Sequence, residues 1–345
     1  MNYDLINVLI IFLFYFILFN KFKFLRDNKA SSGHKKFIKS KKSPILIGGF
    51  FLVSIVFLFS DYPFFPIKFS LFLIFLLGLS SDKNILNSPK LRLIIQLIIL
   101  FYAVYFYGLT INDLRIEKVN LILTKSEFNL LLTIFCLAIL INGSNFIDGL
   151  NGLLVGYAIF ILISIFYISL GEPSITIFQR DFILMLIFAL ILFLIVNIFG
   201  LIYLGDNGSY ALSFLIGIYV LNFSMENKDL SPYYIASLLW YPAFENFFSF
   251  ARRLISKRKI SFADNFHFHQ LLYHYIKNQG IFKKKRELIN TFSSFTILII
   301  NLPGFIISSN FPFNTKVQIS VILMNIIIYL ILYYILLKKF FNKQS

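Results

Sequence analysis

One cysteine, Cys136, stands among 345 residues. That excludes a disulfide within the chain and a metal site built on thiolates, and its place inside an apolar run argues against a catalytic thiol. Charge is scarce as well: Asp, Glu, Lys and Arg make up 14% of the residues, with only 16 acidic against 32 basic. No Gly/Ser-rich linker and no segment polar enough for a separate soluble unit interrupts the chain, so a single integral membrane domain is expected over residues 1–345. Hydrocarbon fills the gap: 58% of the sequence is hydrophobic, including 45 Phe.

Apolar runs long enough to cross roughly 30 Å of hydrocarbon recur along the whole length. The expected fold is an all-α polytopic membrane protein of about eleven transmembrane helices. Their centres fall near residues 4–20, 44–60, 66–80, 91–107, 128–142, 153–169, 183–199, 210–225, 232–250, 290–309 and 317–337. The first run has no basic residue before it and several after it, opposite to a secretory signal, so it is expected to remain as an anchor.

Counting alternate loops from an N-terminus placed outside puts 25 of the 32 Lys and Arg on one side, nine of them between Lys21 and Lys42 and ten between Arg252 and Arg286. Positive loops stay inside, which places the C-terminus in the cytoplasm. The net charge of +16 is then mainly a topology signal. Nucleic acid is not an expected partner, because the basic residues are spread over loops. Anionic lipid headgroups are a better match for them.

Polar chemistry is confined to a few inner stretches: SSDKN, NGSNFIDGLNG, GDNGSY, FENFFSFARR and ADNFHFHQ. Pro89 with Lys90 and Arg92 reads as a turn into a helix. Asp82 alone reads more readily as a cap or a solvated loop residue than as a site. Asn142, Asn145, Asp148 and Asn151 are spaced by threes and would share one face of a helical turn. Asp206, between Gly205 and Asn207 and just before a helix, can hold a hard cation while free N–H groups receive phosphate oxygens. His267 and His269, two apart, cannot share a helix face and are expected on a loop or strand. Without Cys or a third strong ligand nearby they make a poor zinc site; Arg and imidazole opposite several Asp suit a diphosphate held with Mg²⁺. On the outer side, residues 110–123 partly alternate apolar and polar, which suits a small hairpin.

Together these loops resemble the polyprenyl-phosphate N-acetylhexosamine-1-phosphate transferases, the family that includes the phospho-N-acetylmuramoyl-pentapeptide transferase of peptidoglycan synthesis. The resemblance runs from about Gly48 to Leu272. Ser81 and Asp82 stand where the family has an acidic pair. The family's N-x-x-N-x-x-D-G-L-D-G appears as Asn142, Asn145, Asp148, Gly149, Leu150, Asn151 and Gly152, with Asn in place of the last Asp. G-D-x-G-S is intact from Gly205 to Ser209, and an acid, paired Arg and D-x-x-H-x-H recur as Glu245, Arg252, Arg253, Asp264, His267 and His269, with Gln270 in place of a third His.

The resemblance implies attack by a polyprenyl phosphate on the β-phosphorus of a UDP-sugar, releasing UMP at the inner face of the cytoplasmic membrane. It implies catalytic roles for Asp82, Asp148, Asp206, His267 and His269. It implies substrate binding by Asn142, Asn145, Asn151, Arg252, Arg253 and Asp264. Mg²⁺, with Mn²⁺ as the alternative ion, would sit at Asp206 and Asn145, and a homo-oligomer is compatible with it. Ser81 does not imply a dead enzyme: a phosphate monoester, with its second pKa at about 6, is largely ionised without a base. The missing third His favours the initiation of O-antigen, capsule or another surface polysaccharide over the peptidoglycan step. A transporter or flippase of lipid-linked sugars is the reading from another class, but transporters place polar groups near the bilayer midplane.

Overall fold

The computed structural model describes residues 2–22, 25, 44–60, 65–171, 177–255, 266–282 and 285–342. Among them are fourteen helices and one pair of two-residue strands. The helices are α1 (Asn2–Phe22), α2 (Gly48–Phe59), α3 (Phe65–Asp82), α4 (Pro89–Tyr107), α5 (Glu117–Leu123), α6 (Ser126–Ile147) and α7 (Leu153–Ser169). They continue as α8 (Ile177–Ile198), α9 (Gly205–Glu226), α10 (Pro232–Leu238), α11 (Trp240–Ile255), α12 (Phe268–Gln279), α13 (Arg286–Asn310) and α14 (Thr315–Phe341). Seven of these, α1, α4, α6, α8, α9, α13 and α14, are long and apolar enough to cross a membrane, and α2 and α7 are shorter apolar helices. The architecture is that of a helical, multi-pass membrane protein.

Hydrogen bonds between helix ends sort the bundle into two faces. At one, Asp82 closing α3 meets the start of α9, and Asn151 before α7 meets Asn290 early in α13. At the other, Arg115 reaches the backbone of Asp229 and Phe313 and the hydroxyl of Thr315. Helix α9 is the hub, with 72% of an 18-residue apolar stretch buried against 17% for that of α1. It packs on α2, α3, α6 and α7. Gly49 and Gly78 allow the approach, because a methyl group at either would overlap Asn207 or the backbone of Asp206. Small residues at such crossings let helix backbones come close where lipid offers no hydrophobic drive.

Three local expectations change. The segment 232–250 is broken between α10 and α11. Pro242 has no N–H to offer the carbonyl four residues back, and Leu238 instead accepts a bond from the Tyr157 hydroxyl at 2.9 Å. Residues 110–123 form no hairpin: Asp113 accepts from Arg115 N and Asn120 Nδ2, Asn120 accepts from Leu114 N, and α5 follows. Those side-chain bonds replace a strand ladder. Ile45–Leu46 (β1) and Ile202–Tyr203 (β2) pair in parallel just before α2 and α9, a two-residue bridge within an otherwise all-helical fold. The histidine pair opens a helix instead of lying on a loop or strand: His267 is the N-cap of α12 and His269 lies in its first turn.

Candidate active site

The centre of the site is the first turn of α9. Gly205 has φ +72°, which lets the chain turn from β2 into the helix, and a side chain there would press on the Asp82 carboxylate. Asp206 therefore lies inside the helix, not before it. Asp82 accepts from Asp206 N at 2.9 Å, from Asn207 N at 2.9 Å and from Asn207 Nδ2 at 2.6 Å. A carboxylate from α3 thus caps α9, where orphan N–H groups and the helix dipole favour negative charge. Asn207, fully buried, also accepts from Gly49 N at 2.8 Å and so ties α2 to the same junction.

Asp206 points the other way and stays partly accessible. Its Oδ2 accepts from the Ser81 hydroxyl at 2.6 Å and from Arg92 Nη1 at 3.3 Å, while Oδ1 accepts from Asn145 Nδ2 at 3.3 Å. Arg92 Nη1 also donates to Ser81 Oγ. Arg92 enters on α4, whose start is set by Ser88, accepting from Leu91 N, and by Pro89. Sequence reading placed Arg92 only in a turn into that helix. Its spacing, three residues after Pro89, puts it in the first turn beside the end of α3, and that was the available signal.

The four residues spaced by threes do not share a face. Asn142 and Asn145 lie on α6, Asp148 is its C-cap, and Asn151 is past the helix. Asn142 donates to Gln96 Oε1 at 3.1 Å and to its own helix at Ala138 O. Only Asn145 reaches Asp206. Asn151 is buried and its N–H donates to Asn290 Oδ1 at 2.6 Å, while Gly152 N donates to Asn197. The turn between Ile147 and Leu153 breaks the helical period on which the expectation rested.

The second cluster is built on α11 and α12. Glu245, fully buried, accepts from His267 Nδ1 at 2.9 Å and from Phe268 N at 3.3 Å, and its other oxygen accepts from Tyr329 of α14 at 2.7 Å. His267 and His269 stack with ring centres 5.5 Å apart, and Phe146 lies against His267. Gln270, in the place of a third His, accepts from His267 N at 3.3 Å and completes the helix start. Arg252 donates to Phe266 O and the Tyr333 hydroxyl, both at 2.8 Å, and lies over the rings of Phe248 and Tyr333. Arg253 is half-buried one residue on, and Asp264 lies outside the described residues.

His269 lies directly on Gly149, so α6's end joins the two clusters: Asn145 bonds Asp206, Phe146 faces His267 and Gly149 receives His269. Gly149→Ala should lower the thermal midpoint of the detergent-purified protein by the equivalent of about 1–3 kcal/mol, the usual cost of overpacking. Gly171→Ala, where the new methyl makes only ordinary contact, is the control and should leave it unchanged. A cleft of about 250 Å³ between α12 and α14 is lined by Leu271, His274, Tyr275, Lys339 and neighbours, with no carboxylate. Burial and nearby Lys277 hold the His274 imidazole below its usual pKa.

Among the described residues no three His, Cys, Asp or Glu side chains converge as metal ligands. Zinc, which wants several such side chains, does not fit. A magnesium ion does, since it binds through one or two carboxylates and leaves its other positions to phosphate oxygens and water. Asp206 would supply the carboxylate, and Asn145 an oxygen with its amide turned over, an orientation set by its hydrogen bonds.

Residues 64–224 match the family described as glycosyl transferase family 4. A relative from Bacillus subtilis (strain 168), named "Probable undecaprenyl-phosphate N-acetylglucosaminyl 1-phosphate transferase", is 29% identical over 208 residues. That stretch is 58% of this chain and 56% of the relative, so the likeness spans about half the length of each. The family resemblance drawn from the polar loops is borne out by both matches.

Proposed function

We propose that this chain transfers a sugar 1-phosphate, from a UDP-linked N-acetylhexosamine or deoxy relative, to undecaprenyl phosphate or a similar polyprenyl phosphate. The observation that carries the reading is the partly accessible Asp206 carboxylate at the start of α9, held among Ser81, Arg92 and Asn145. The match to glycosyl transferase family 4 and the name of the bacterial relative support it. A phosphate oxygen of the lipid forms a bond to the β-phosphorus, the bond from that phosphorus to the bridging oxygen breaks, and UMP leaves with that oxygen. Mg²⁺ held by Asp206 and Asn145 would supply neutralisation of the charge that gathers on the diphosphate. Among the described residues Arg92 is the cation paired with that carboxylate, and it can donate to phosphate oxygens. Asp148, His267 and His269 flank the same helix end and are the candidates for contacts to the sugar phosphate and the lipid phosphate.

One substrate lives in lipid and the other in water, so the reaction belongs at an interface. The lysine-rich loops favour the cytoplasmic face of the inner membrane, with the N-terminus outside and the C-terminus inside. Gln270 in place of a third His favours initiation of a surface polysaccharide, such as O-antigen or capsule, over the peptidoglycan step. Purified protein given polyprenyl phosphate, Mg²⁺ and a panel of UDP-sugars should release UMP, with UDP-N-acetylglucosamine the first donor to try. No UMP from any donor, together with movement of lipid-linked sugar across vesicles, would replace this reading with a transporter.

A further inference from the structure

We infer that Arg92 is an internal counterion that occupies Asp206 until a nucleotide diphosphate draws it away, so that divalent cation and UDP-sugar bind cooperatively. This rests on the reading of Asp206 as the metal-binding carboxylate. Arg92 Nη1 bonds both Asp206 Oδ2 and Ser81 Oγ, and the guanidinium has no other hydrogen bond among the described residues. Its Nε is buried and without a partner. The remaining N–H groups are thus unspent, and a guanidinium binds phosphate oxygens with two parallel bonds where it binds this carboxylate with one.

Charge accounting makes the competition specific to this chain. Residue 81 is a neutral Ser, and Asp82 is taken up by three donors from α9. Asp206 is therefore the one carboxylate that Arg92 meets among the described residues. A divalent cation approaching this carboxylate meets a resident positive charge at Oδ2, and a single carboxylate must serve both. Phosphates arriving with their own negative charge relieve that conflict: Arg92 turns to them, the carboxylate is freed, and each ligand improves the site for the other. Such coupling is reciprocal by thermodynamic necessity. Were the contact only a surface ion pair, its loss would change little.

The test is Mn²⁺ binding to the full-length, detergent-purified protein, read by electron paramagnetic resonance of free Mn²⁺ without nucleotide. Arg92→Gln should bind Mn²⁺ at least about tenfold more tightly than the unaltered protein, a modest coupling between sites. Ser81→Asp, which gives Arg92 a second carboxylate, should shift affinity in the same direction with Arg92 in place, so a folding fault in one variant does not decide the matter. Adding Asp206→Asn to Arg92→Gln should remove the gain. Equal affinities for the unaltered protein, Arg92→Gln and Ser81→Asp would overturn the counterion role and leave the site reading intact. Binding that survives in the double variant, or no binding by any form even with UDP added, would overturn both.

Discussion

Asp206→Asn should lower UMP release by at least about a hundredfold while the protein still inserts and purifies as the unaltered form does, because a preorganised electrostatic contact is commonly worth that much. The substitution keeps the size of the side chain and one oxygen, so the bond from Ser81 can persist. It removes the negative charge that a hard cation requires and that holds Arg92. The cap of α9 is untouched, since the backbone N–H of residue 206 still donates to Asp82. Rates should be compared at matched folded fraction across a Mg²⁺ titration. Recovery at high Mg²⁺ would mean that the carboxylate aids affinity alone; near-normal rates at ordinary Mg²⁺ would sink the metal assignment.

The contrast between Asp206 and Asp82 marks what a sequence of this kind discloses. Helix positions were legible because lipid demands long apolar runs, and ten of the expected centres fall on helices without an internal break. The first-turn Pro89 was also there to be read. What each carboxylate faces was not. Asp82 alone reads as a cap, but its sequence does not say of which helix: it meets the start of α9, and Glu245 meets that of α12. Both contacts join segments far apart in the chain, and no local period encodes them. Tyr329, from a helix that otherwise reads as lipid-facing filler, completes the second by a hydrogen bond across 84 positions. Arg92 was hidden for the same reason: its partner lies 114 residues on. The caps leave Asp206 as the acid whose oxygens face Ser81, Arg92 and Asn145 instead of a helix end.

Glu245→Ala should be the most damaging single change to stability. It strips the acceptor from His267 Nδ1, from Phe268 N and from the Tyr329 hydroxyl in one step, and all three lie where water does not reach. Each buried donor left without a partner costs about 1–3 kcal/mol, so the total loss is on the order of 3 kcal/mol or more. The apparent midpoint in detergent should fall by at least about 5 °C. Tyr329→Phe removes a single donor and leaves the other two bonds, so its drop should be less than half as large. Activity separates packing from positioning. If Glu245 and Tyr329 act by holding the imidazoles of His267 and His269 toward Gly149, Tyr329→Phe at matched folded fraction should reduce kcat with little change in KM for the UDP-sugar. An unchanged kcat in Tyr329→Phe, beside the expected loss of stability, would confine this network to holding α11, α12 and α14 together and would remove it from the chemistry.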